Sequence, residues 1–155
     1  MKGQFIFEFL ISGLVFFAVV LFTINFLTSN VSSFKNQFYI DHLQIMALRS
    51  SELLTNGNSQ MNLVDGWPTY SVSKIDAFTA LCQNANEYNK IRELLGLSEA
   101  TSFGTRLFDI NVMVSWGSET RTCGPPIPAY VSKAEIKRYG LLDTGEFVKL
   151  NIVVW

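Results

Sequence analysis

The chain has 155 residues, with 12 basic and 13 acidic side chains and a formal net charge of −1. A balance this close to neutral, with no basic cluster denser than Lys133, Lys137 and Arg138, excludes a nucleic-acid binder held by electrostatics and gives no nucleic-acid partner. Two cysteines and one histidine exclude a zinc cluster, and no other metal or cofactor pattern is present.

The first thirty residues dominate the reading. Met1-Lys2-Gly3-Gln4-Phe5-Ile6-Phe7-Glu8 is followed by a run free of charge from Phe9 to Phe34. Its strongly apolar part, Phe9 to Leu27, is about 19 residues long, against the roughly 20 that a helix needs to cross about 30 Å of hydrocarbon. Ser12, Thr23 and Asn25 are its sparse polar members and can bond to the helix's own carbonyls. Lys2 and the initiator amine precede the run and Lys35 follows it at a distance, which favours a cytoplasmic N-terminus and an outside location for what lies beyond Asn30. A secretory signal peptide has an apolar core of about 7–15 residues, shorter than this one, and a small-residue cut site. An uncut anchor and a cleaved leader both remain open on length alone. Glu8, at the mouth of the apolar run, either sits at headgroup level beside the positive end of the helix dipole or meets a cation inside an assembly.

Gly3-Gln4 with Glu8 four residues on, followed by a membrane-length apolar stretch, resembles the class III signal peptide of archaeal type IV pilin-like proteins. Ile6 stands where that family commonly carries a small hydroxyl residue. The resemblance implies that a prepilin peptidase cuts between Gly3 and Gln4, making Glu8 the fifth residue of the mature chain. It implies that copies of the chain, or of other pilins, stack through their apolar helices with the help of an assembly platform and its ATPase. Before assembly the helix would sit in membrane lipid. Glu8 of one subunit would then neutralise the new ammonium on Gln4 of the next, a pairing that acts as a register device in a low-dielectric core.

Beyond the anchor the chain is expected to stay helical from Asn30 to about Thr55, because no Pro or Gly interrupts it before Gly57. Anchor and stem would form one helix of about 50 residues, near 75 Å at about 1.5 Å per residue. Two apolar stripes mark the stem: Val31, Phe34, Phe38, Ile45 and Leu48, and Tyr39, Leu43, Met46 and Leu53. Either one stripe holds the head and the other meets neighbouring subunits, or both face one broad core. Asn56-Gly57-Asn58-Ser59 is a stop signal. Asn30-Val31-Ser32 is a glycosylation sequon, with Asn30 as the possible acceptor.

The remaining segment reads as a small head. Met61 to Tyr70 is irregular. Ser73 caps a short helix from Lys74 to about Cys82, and a second runs from about Ala85 to Leu95. Tyr88 and Leu95-Gly96-Leu97 are similar to a segment common in archaeal pilin-like heads. Apolar residues alternate from Phe108 to Trp116, a longer strand runs from Ala129 to Leu142, and Phe147 to Trp155 closes the chain after a turn at Asp143-Thr144-Gly145. These three strands predict an antiparallel meander. Cys82 and Cys123 form a disulfide or remain two separate buried thiols; outside the membrane a bond closing a loop of about 40 residues is worth roughly 4 kcal/mol in the chain-entropy model.

The fold expected is α+β: a long N-terminal helix, membrane-spanning half plus stem, packed by a head of short helices and a three-stranded sheet. Its parts are a leader at 1–3, an assembly helix at 4–29, a stem at 30–57 and a head at 58–155. No nucleophile elbow, phosphate loop or dinucleotide fingerprint is present, and Asp41 and His42, adjacent on a helix, cannot form a dyad, so His42 reads as solvated. The function expected, from the resemblance, is a major or minor structural subunit of an archaeal type IV pilus-like surface filament, of the kind that serves adhesion, motility, DNA uptake or secretion, rather than an enzyme. The subunit is single-pass in the cell membrane, with a cytoplasmic N-terminus and an extracellular head, until it joins the filament. The alternative is a permanently membrane-anchored extracytoplasmic binding domain of a secretion or uptake complex.

Overall fold

The computed structural model describes the backbone of residues 2–101 and 104–155, and the side chains of 7–31, 33–100 and 104–155. The chain divides into two compact units, Met1–Tyr39 and Ile40–Trp155. The first is helix throughout its described residues. That helix, α1, runs Lys2–Thr55 and ends inside the second unit. Its polar side chains do not break it because they turn back on its own carbonyls: Thr23 Oγ1 donates to Val19 O at 2.8 Å, Thr28 Oγ1 to Ile24 O at 2.8 Å, and Asn30 Nδ2 to Phe26 O at 2.9 Å. It stops at the expected place, where Asn56 accepts from Ser59 N through its carbonyl and from Asn58 N through its side chain.

The second unit is an α+β head. After α1 come β1 (Val64–Gly66), β2 (Thr69–Tyr70), α2 (Val72–Cys82), α3 (Ala85–Leu94), β3 (Ser98–Thr101), β4 (Gly104–Leu107), β5 (Ile110–Trp116), β6 (Glu119–Cys123), β7 (Ala134–Leu142) and β8 (Phe147–Val154). β3 and β4 form a separate hairpin. The other six strands make one sheet in the order β1-β2-β7-β8-β5-β6. This corrects the three-stranded meander. The strands expected at the C-terminal end all form, but β8 inserts between β7 and β5, with Val154 opposite both Ala134 and Ile110. The reason lies in its residues. Leu150, Ile152, Val153 and Val154 are all buried, so β8 is covered on both faces at its end and belongs in the middle of a sheet. β6 (Glu-Thr-Arg-Thr-Cys) is polar because it is an edge strand, and alternation of apolar residues does not reveal it.

The strand expected from Ala129 begins only at Ala134. Residues 124–133 instead form a loop, held where Asn111 Nδ2 donates to Pro125 O at 2.9 Å. Gly124 makes the loop possible: it has φ +103°, and a Cβ there would collide with the Ile110 carbonyl oxygen. Gly140 has a comparable role inside β7, where a Cβ would strike Pro68 O and the Tyr70 ring. Its absence lets β2 lie parallel to β7, Thr69 opposite Leu141 and Tyr70 opposite Leu142.

The helices are tied to the sheet by specific contacts. α2 begins two residues earlier than expected, with Ser71 rather than Ser73 at its cap position, and buries Ile75 and Phe78. Its last residue, Cys82, is disulfide-bonded to Cys123 at the end of β6, with Cα atoms 5.3 Å apart. α3 buries Ile91, and the Tyr88 hydroxyl donates to Ile110 O at 3.0 Å and accepts from Ile110 N at 3.2 Å.

Two predictions follow from this packing. The disulfide spans a sequence separation of 41 residues. Replacing both Cys82 and Cys123 with Ala is expected to lower head stability by up to about 4 kcal/mol, read as a reduced denaturant midpoint with a steeper slope, because the unfolded chain is no longer cross-linked. Tyr70 is fully buried, and burial pushes its phenol from 10.0 up to about 12, against a smaller lowering by Arg138. A raised folded-state value means the neutral phenol supports the fold below pH 10. That support is lost as pH rises from 10 towards 12, where the unfolded chain ionises first. Alkaline unfolding in this window, with a late phenolate absorbance step missing in Tyr70→Phe, is the expected result.

Candidate functional site

The residues of α1 within the head unit divide cleanly. Leu43, Met46, Ala47, Ser50, Ser51 and Leu54 are buried, at the 3- and 4-residue spacing that one helix face requires. Ile45 and Leu48, between them, are exposed. Of the two expected stripes, the one through Leu43 and Met46 is the core stripe. The stripe through Ile45 and Leu48 takes no part in the head. In the first unit Val31, Phe34 and Phe38, which carry the same spacing, are also exposed, as are nearly all side chains described from Phe7 to Leu27. This apolar helix is long and apolar enough to cross a membrane, and the window that meets that test has none of its residues buried.

The expected processing and assembly residues lie at its start. Gly3 and Gln4 are inside α1 by backbone, and their side chains lie outside the described residues. Glu8 is exposed and makes no ion pair among the described residues. Asn30 lies within α1, its amide nitrogen engaged with Phe26 O.

The core stripe contains two serines, and they show how the head is seated. Ser51 Oγ donates to Leu48 O at 2.7 Å and accepts from Arg138 Nη2 at 3.2 Å and Nε at 3.4 Å. Arg138 thus leaves the expected solvated basic cluster. The strand alternation sends Lys137 to the other face, where it pairs with Glu135 at 3.2 Å and, by that hydrogen bond, holds the Glu135 carboxyl low. Buried serines in an apolar stripe are the signal that a polar partner docks there, although spacing alone does not name it.

Other polar contacts fasten the head. Arg92 Nη1 lies 2.6 Å from Asp109 Oδ1 and stacks over Tyr88 at 5.0 Å. Burial is the main cause that pushes the Tyr88 phenol up. Arg121 on β6 bridges Glu119 at 2.8 Å and Asp76 of α2 at 2.9 Å; the hydrogen bonds it donates to these two carboxylates raise its pKa. His42, expected in solvent, is half-buried edge-on to Phe108, with Nε2 3.8 Å from Glu99 Oε2. Among the described residues no group of three or more metal-binding side chains is gathered together.

No family model, curated protein or solved structure matches the chain. The site must therefore be judged on its own chemistry. Its largest feature is apolar helical surface that the chain does not cover, beside a head whose polar contacts are mostly used internally. The division of α1 is testable. Leu43→Ala should lower head stability by about 2–5 kcal/mol through a core cavity. Ile45→Gln and Leu48→Gln should each stay within about 0.5 kcal/mol of the parent, as for ordinary surface positions. Chemical denaturation of the three variants checks this.

Proposed function

We propose that the chain is a structural subunit, major or minor, of an archaeal type IV pilus-like surface filament. It is cut by a prepilin peptidase after Gly3, held in the membrane through its apolar helix, and then assembled with copies of itself or other pilins. The observation that carries this reading is the uncovered apolar surface of α1: a stretch in the first unit long and apolar enough to span a membrane, and then exposed Ile45 and Leu48 in the head, where water would be the only neighbour of an isolated subunit. A simple anchor needs the first and has no use for the second. Lipid covers the span before assembly, and neighbouring helices cover both afterwards.

Glu8 supplies the register. Once the peptide bond after Gly3 is cut, Gln4 carries an ammonium, and Glu8 of an adjacent subunit neutralises it inside the bundle. Removing one member of a buried ion pair costs about 3–5 kcal/mol, because the other charge is left unpaired. Glu8→Gln should therefore insert into membranes normally yet lose most of its filament yield when expressed with the matching peptidase, platform and ATPase. Normal yield would remove the pairing from the mechanism.

The second reading, a permanently anchored extracytoplasmic binding domain, is favoured by an open polar cleft on the head. The N-terminus separates the two. Intact mass and N-terminal sequencing of the chain from its native membrane or surface fraction should find Gln4 first. A chain beginning at Met1 would favour the anchored domain.

A further inference from the structure

One cleft in the head is lined by polar groups that keep hydrogen-bonding capacity to spare. It has a volume of about 340 Å³ and is formed by Glu52, Thr55 and Asn56 at the end of α1, Trp67 in the β1–β2 turn, and Arg138 from β7. That is at the small end of the range for small-molecule sites. Arg138 is anchored from one side only, by the two hydrogen bonds to Ser51 Oγ. Neither Arg138 nor Glu52 is in an ion pair among the described residues, with each other or with any other group, although both line the cleft. Trp67 is 53% exposed and is braced edge-to-face by Tyr70, with ring centroids 6.3 Å apart. Its indole N–H has no partner among the described residues. The buried Tyr70 hydroxyl has no hydrogen-bond partner among the described residues.

The chemistry of this set narrows the ligand. One guanidinium and one carboxylate cancel, so the cleft has no net field to hold a phosphate or another strong anion. Both are planar groups with unused hydrogen-bonding capacity, which a purely apolar ligand would leave unpaired on burial. A neutral pyranose meets every demand. Its C–H face lies on the indole, and its hydroxyls accept from Arg138 and the indole N–H and donate to Glu52 and the Asn56 carbonyl. We infer that the head carries a monosaccharide-sized carbohydrate subsite centred on Trp67 and Arg138, with Glu52 as the hydroxyl acceptor. Glu52 lies on α1 four residues beyond the exposed Leu48, and the subsite is a property of the unassembled chain, so it does not depend on filament assembly.

The test uses the full chain in a detergent without sugar headgroups, with the methyl glycosides of glucose, galactose, mannose and N-acetylglucosamine as probes. Saturation-transfer NMR and the Trp67 indole resonance report binding. At least one glycoside is expected to bind saturably in the millimolar range typical of a single small ligand, with affinity falling about tenfold or more in Trp67→Ala and Arg138→Lys, the loss of one to two hydrogen bonds or a stacked face. Glu52→Gln, at an exposed helix position where misfolding does not arise, should weaken binding without changing the thermal midpoint. Absence of binding by all four glycosides would overturn the inference, as would equal binding by the parent and Glu52→Gln. Preferential binding of acetate that requires Arg138 and ignores Trp67 would overturn it as well, assigning the cleft to a carboxylate-bearing peptide instead.

Discussion

Apolar surface left in water costs about 25 cal/mol per Å², and α1 carries more of it than the head can cover. Everything else in the structure is arranged around that imbalance. Within the head the helix gives up one stripe, Leu43 to Leu54, to the core. The rest of the helix's apolar residues are left uncovered by the chain. A helix can carry two such surfaces because its faces are set by spacing and are independent of one another. In the head unit they are interleaved: Met46 is buried between exposed Ile45 and buried Ala47, and Leu48 is again exposed.

The union of helix and sheet rests on a small polar joint as well as on burial. Ser51 sits in the core stripe because its hydroxyl can satisfy both the helix and Arg138, with no other side chain of that size able to accept from a guanidinium and donate to a carbonyl one turn back except threonine. Arg138 in turn comes from the strand that meets β2 on one side and β8 on the other. Gly140, two residues on, opens the space that Tyr70 fills. A short run of β7 therefore sets the distance to α1, the seat of the β1–β2 turn and the floor of the Trp67 cleft.

Much of this architecture was legible in the residues. The end of α1 at Asn56-Gly57, both short helices and the strands at the C-terminal end follow from capping residues, turn residues and period. The exposed stripe through Ile45 and Leu48 was visible as spacing, although which stripe would be buried was not. Three things were hidden for physical reasons. β6 is polar because edge strands are, so it lacks the alternation that marks β5. The position of β8 between β7 and β5 is a long-range choice, decided by the burial of Val153 and Val154 on opposite faces and not by any local signal. The contacts of Arg138, His42 and Tyr88 join residues distant in sequence, and period says nothing about which distant residue a polar side chain will meet.

The six-stranded sheet also has two edges, and each is blunted. A sheet edge is a row of unpaired N–H and C=O groups that invites a foreign strand. One edge here is β1, only three residues long and displaced in register beside β2. The other is β6, where Arg121 is clamped by Glu119 and by Asp76 of α2, and where the disulfide pins the strand's last residue to that same helix. Both margins are thereby poor templates for cross-β growth. Heads brought together at high concentration can touch without knitting their sheets into one another.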